Sequence, residues 1–109
     1  MTPADILTIV SETLATPELL LTSKTRKKEV AHVRHIYCWL CREYSHVSLH
    51  EIGLPINREH STVVASIKWV KDKMRYKDVS ADIRLCEQAI RDFEGQDFRE
   101  ITGEMGMSF

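Results

Sequence analysis

The chain has 109 residues, 43% apolar and 28% charged, with a formal net charge of −1. This is one domain with a modest core and an ordinary globular composition, neither disordered nor fibrous. No apolar run approaches the roughly 20 residues that span a bilayer, the N-terminus lacks a basic-then-apolar leader, and three cysteines do not build a disulfide framework, so a cytoplasmic protein off the membrane is expected.

Ile6, Ile9, Val10 and Leu14 recur at helical spacing and predict an amphipathic helix over 4–14, opened by Thr2 as cap and Pro3 in the first turn. Thr16-Pro17-Glu18 repeats that start signal for a short helix ending near Leu21. Thr22 to Lys28 reads T-S-K-T-R-K-K and predicts an exposed basic loop. Val30, Val33, Tyr37, Leu40 and Tyr44 then form the stripe of a long helix over 28–45. Ser48, with Glu51 three residues on, reads as a capping box. A second long helix is expected from about Glu59 to Tyr76, with Val63, Ile67, Val70 and Met74 on one face. Ser80 is the expected cap of the last helix, whose core face is Ile83, Cys86, Ile90 and Phe93. The predicted domain covers 1–95, and 96–109, with Gly103, Gly106 and Ser108, is expected to be a loosely held tail. No segment alternates with period two, so the class is all-α with five to six helices.

The near-zero total charge hides a segregation. Residues 22–77 carry 12 Lys or Arg against five acids, and all five histidines; the flanking segments are net acidic. Charges further apart than about 8 Å are screened at physiological salt, so the local balance sets the field near a polyanion. The bland reading is a solvated charged face.

The central segment also carries the most specific pattern. Leu49 and Ile52 make a short amphipathic turn, Gly53-Leu54-Pro55 breaks it, and Arg58-Glu59-His60-Ser61-Thr62 opens the next helix before Val63, Ile67 and Val70. That is the layout of a helix-turn-helix, whose second helix offers polar N-terminal residues to the DNA major groove. Asn57 is the expected left-handed residue of the turn.

Over residues 4–94 the chain resembles the C-terminal DNA-binding domain of the bacterial replication initiator DnaA, a helix-turn-helix of Trp-repressor-like fold. The family opens its recognition helix with Arg-Asp-His-Thr-Thr-Val; here the run is Arg58-Glu59-His60-Ser61-Thr62-Val63. Its Ser-Leu-Pro-Glu-Ile-Gly stands here as Ser48-Leu49-His50-Glu51-Ile52-Gly53. Its basic loop, Val-Ala and Arg correspond to Ser23-Lys24-Thr25-Arg26-Lys27-Lys28, Val30-Ala31 and Arg34. Three departures stand out: a link from Gly53 to Arg58 that is one residue shorter, Pro-Ile-Asn in place of Phe-Gly-Gly, and Glu for Asp at 59. There is no Gly-x-x-x-x-Gly-Lys-Ser/Thr run, so no ATP chemistry is expected of these residues.

The resemblance implies that Glu59, His60, Ser61 and Thr62 read bases in the major groove and that Arg26 enters the minor groove, where a narrow A·T-rich stretch attracts guanidinium. From the residues alone, Glu59 could equally serve the helix dipole, His60 could be a solvent-facing histidine, and the two hydroxyls could bond within the first turn. Lys24, Lys27, Lys28, Arg34 and Arg58 are candidates for phosphate contacts, as are the backbone amides of Ser48 and Leu49. Lys68, Lys71 and Lys73 are assigned to solvent. Cys38-Trp39-Leu40-Cys41 with His35 allows a metal reading, but a second Cys pair and a preceding strand are both lacking, and buried core cysteines are favoured.

The sequence thus predicts a sequence-specific binder of double-stranded DNA, acting in replication initiation or its regulation. No cofactor, metal, catalytic residue or ATP is expected. The alternative is a protein-interaction module that keeps the fold without DNA. A homo-oligomer is not indicated, although Phe98, Ile101 and Phe109 would serve to pair two copies.

Overall fold

Every regular element is helical among the described residues, which in this computed structural model are 1–107 for the backbone and 1–95 for the side chains. The order is α1 (Pro3–Thr13), α2 (Glu18–Thr22), α3 (Lys28–Tyr44), α4 (Leu49–Gly53), a 3₁₀ turn (Leu54–Ile56), α5 (His60–Lys73) and α6 (Lys77–Met107).

Helix α1 starts where its cap demands. The Asp5 N–H donates to Thr2 Oγ1 at 3.2 Å and the Thr2 N–H to Asp5 Oδ2 at 3.1 Å, which satisfies two otherwise orphaned donors. Helix α3 is the central strut and packs on α1, α2, α4, α5 and α6. Its stripe of Val30, Val33, Ile36, Tyr37, Leu40 and Cys41 is buried against Ile6 and Val10 of α1, Leu21 of α2, Ile52 of α4, Val63 and Val70 of α5, and Ile83, Cys86 and Ile90 of α6. Burial of this kind contributes about 1.5–3 kcal/mol per large side chain before entropy is counted.

Helix α6 is attached to α3 by two polar links as well as by apolar contact. His32 Nε2 lies 2.7 Å from Asp82 Oδ2, and Tyr44 donates to Glu87 Oε2 at 2.9 Å. Its start corrects the sequence reading. Ser80 is not the cap: α6 opens at Lys77, and the Ser80 hydroxyl donates back to the Lys77 carbonyl at 3.3 Å. Val79 is buried, and its packing draws the helix start one turn earlier. Helix α5 correspondingly ends at Lys73, and a turn closed by the Tyr76 N–H on the Lys73 carbonyl follows it. The expected tail over 96–109 falls on residues whose side chains lie outside the described set. No helix among the described residues is long and apolar enough to cross a membrane.

Candidate nucleic-acid interface

The turn between α4 and α5 is set by close packing of backbone. Helix α4 runs directly into the 3₁₀ turn, and Asn57 then reverses the chain in the left-handed region at φ 55°, ψ 45°. The Arg58 N–H donates to the Gly53 carbonyl at 3.0 Å. A Cβ on Gly53 would stand 2.1 Å from the Arg58 carbonyl oxygen, so only glycine admits this approach. The buried Tyr37 hydroxyl donates to the Ile52 carbonyl at 2.7 Å and fastens α4 to α3 from beneath. Ser48 caps α4 by accepting from the Glu51 N–H, while the Glu51 carboxylate meets the Ser48 hydroxyl rather than its amide.

Helix α5 presents its first turn outward. Val63 and Val70 are fully buried, which turns Glu59, His60, Ser61 and Thr62 to solvent, and all four are exposed. Glu59 is the N-cap residue, with extended backbone and no cap bond from its own side chain. Its carboxylate is therefore not held by the helix end.

The basic loop has no ladder of its own. The Ser23 hydroxyl donates to the Leu20 carbonyl at 2.7 Å, but further on the local bonds are long: the Thr25 N–H to Ser23 Oγ at 3.3 Å and the Lys27 N–H to Thr25 Oγ1 at 3.4 Å. Two arginines organise it from inside. Arg34, only 7% exposed, donates from Nε to Leu21 O (2.8 Å), from Nη1 to Thr25 O (2.7 Å), and from Nη2 to Leu20 O (2.9 Å) and Ser23 O (2.8 Å). Arg58, half-buried, donates from Nη2 to the same Ser23 carbonyl at 2.7 Å, and from Nη1 to Ile56 O and Asn57 O at 3.0 and 3.2 Å. Burial and the neighbouring Arg58 charge both push the Arg34 pKa down. With the backbone so held, Lys24, Arg26, Lys27 and Lys28 are all exposed. Lys24, Thr25, Arg26, Ala31, Arg34 and Arg58 line a cleft between the loop, α3 and the start of α5.

Arg34, expected among the phosphate contacts, has a buried guanidinium engaged by four backbone carbonyls. The sequence carried the signal: Arg34 lies at i+4 from Val30, inside the apolar stripe. The role of Arg58 on the loop had no such signal, since it acts across 35 positions. Ser48 is exposed and Leu49 half-buried. Lys68 and Lys71 are exposed, as expected, yet with Arg42 they flank a groove floored by Trp39, Leu49 and Val64.

The Cys-x-x-C pair belongs to the core. Cys38 and Cys41 are fully buried, and burial pushes both thiols up, Cys38 to about 12. His35 turns elsewhere, with Nδ1 2.7 Å from Ser66 Oγ and its ring 4.5 Å from that of Trp69. Burial first, then the nearby His32 and Arg34, lower its pKa to about 4. Among the described residues no group of three His, Cys, Asp or Glu side chains could hold a metal ion.

The sequence model of the bacterial dnaA protein helix-turn-helix matches residues 3–70, from the start of α1 into the last turn of α5. The chain belongs to this DnaA helix-turn-helix family. The chromosomal replication initiator protein DnaA of Desulfotalea psychrophila is 38% identical over 73 residues, covering 65% of this chain and 15% of that protein. The Bacteroides thetaiotaomicron DnaA is 30% identical over 89 residues, 80% of this chain and 19% of the relative. Chlamydia trachomatis DnaA 1 is 25% identical over 90 residues, 83% of this chain and 20% of the relative. The chain thus spans a fifth or less of the length of these DnaA proteins. All of α6 lies past the family match.

Proposed function

We propose that the chain binds double-stranded DNA at a preferred short site and serves replication initiation or its control. The observation that carries this reading is the juxtaposition of two exposed elements: the polar first turn of α5 and the cationic loop, joined through the Ser23 carbonyl. The first turn of α5 enters the major groove. There Glu59 can accept from a cytosine amino group, His60 can donate to a purine N7 or O6, and Ser61 and Thr62 bring hydroxyls and a methyl. Arg26 reaches the adjacent minor groove, drawn by its negative potential. Lys24, Lys27 and Lys28 lie against phosphates, as do the amides at Ser48 and Leu49, and release counterions. Arg58 contributes charge to the same cleft while its donors face carbonyls. The reading is recognition without catalysis.

Binding to a duplex carrying an initiator-box sequence, followed by anisotropy across a salt series, tests it. A scrambled duplex should bind at least about tenfold more weakly, and both affinities should fall as salt rises. Equal affinity for the two duplexes removes the sequence-reading role, and absence of any salt-dependent binding removes DNA as the partner. In that event the groove of Trp39, Leu49 and Val64, flanked by Arg42, Lys68 and Lys71, is the surface a protein-docking module would use.

A further inference from the structure

We propose that Arg58, acting with Arg34, is a positioning residue that locks the basic loop to the start of α5, so that the two outward-facing elements behave as one body. The inference rests on the DNA-binding reading for its consequence, but its geometry stands apart from any ligand.

Both guanidiniums converge on one acceptor. Arg34 Nη2 and Arg58 Nη2 donate to the Ser23 carbonyl at 2.8 and 2.7 Å, filling its two lone pairs. Arg34 comes from α3 and Arg58 from the residue before the α5 cap, so this carbonyl is the knot between loop, strut and helix start. The Arg58 backbone cannot drift. Its N–H is held by the Gly53 carbonyl, and its own carbonyl lies against the Gly53 Cα with no room for a Cβ. The reach of its guanidinium is fixed accordingly, and with it the place of Ser23.

The charge arrangement argues for position over stability. The one side-chain contact of salt-bridge length among the described residues is His32–Asp82, so no described carboxylate pairs with these two neighbouring cations. The carbonyls of Leu20, Leu21, Ser23, Thr25, Ile56 and Asn57 surround them instead. One arginine would hold Ser23. A second adds like-charge repulsion and is useful because it ties in the element it comes from. The loop's first residues are also held by Ser23 Oγ on the Leu20 carbonyl at 2.7 Å and by Asn57 Nδ2 on the Thr22 carbonyl at 3.5 Å, but from Thr25 to Lys27 its local bonds are 3.3 and 3.4 Å. Charge-assisted bonds are about twice as strong as neutral ones, enough to decide its conformation.

Arg58→Lys is the discriminating variant, because it keeps the charge and loses the fork that spans Ser23 and the turn carbonyls. Half-buried Arg58 is chosen over buried Arg34 so that the fold survives; cooperative thermal unfolding verifies this. In the free protein, amide hydrogen exchange at Thr25 to Lys27 should quicken at least about tenfold in Arg58→Lys while α6 amides are unmoved. Unchanged loop exchange overturns the lock, whatever the protein does with DNA. On the initiator-box duplex, the affinity losses of Arg26→Ala and His60→Ala should depart from additivity by at least about fivefold in the parent and should simply add in Arg58→Lys. Additivity in the parent overturns the one-body claim. A parent that does not prefer the initiator box refutes the DNA reading instead, and the exchange experiment still decides the lock.

Discussion

The basic loop and the first turn of α5 both expose polar or cationic side chains, but different forces hold them. The helix turn is ordered by its own ladder, by Val63 in the core and by the tight Gly53 approach. The loop has no ladder, and its shape comes from guanidinium bonds to backbone carbonyls. The difference separates two kinds of substitution. Changes on the helix turn should alter what is read and leave the fold alone. Changes beneath the loop should alter shape first, and binding only as a result.

The sharpest break of that contrast is Gly53→Ala, which forces a Cβ onto the Arg58 carbonyl and displaces helix start and loop together. It should cost about 3 kcal/mol of stability, measured by urea unfolding. His60→Ala should cost about 2 kcal/mol of discrimination at one base pair with the unfolding midpoint unmoved, as read by competition with single-base variants. An equal loss on random duplex would place His60 outside the reading set. Acid should distinguish the two regions next. His35, which joins α3 to α5 through Ser66, has its pKa lowered to about 4 from the ordinary 6.5, so the unfolded chain takes up the proton first. Stability is intact above about pH 6.5 and is lost as pH falls toward 4, by about 1 kcal/mol after solvent screening. His35→Gln should flatten that slope. The smallest effect belongs to Lys27→Ala: all sequences weakened alike, and the salt slope reduced by about one unit.

Most of the helical frame was legible because burial imposes a 3.6-residue period. Ile6 to Val10, Val30 to Leu40 and Val63 to Val70 declare their helices, and Thr2-Pro3 and Asn57 mark a start and a turn by local chemistry. The start of α6 was not legible, because Ser80 is a good cap by type while the burial of Val79, a tertiary effect, decides the boundary. In the interface, the exposed turn of Glu59 to Thr62 followed from the buried phase of Val63. The burial of Arg34 followed from its position in the stripe rather than from its residue type. The meeting of Arg34 and Arg58 on Ser23 joins residues 11 and 35 positions away, and no local pattern encodes it.

Among the described residues, dipoles and not anions balance the two arginines around Ser23. Neutral partners leave the formal charge of both guanidiniums in place, and arginine does not deprotonate at any pH a cell reaches. The cleft they line therefore keeps a standing positive potential. Acidification cannot switch it on or off, and among the described residues no carboxylate has to let go before a polyanion arrives.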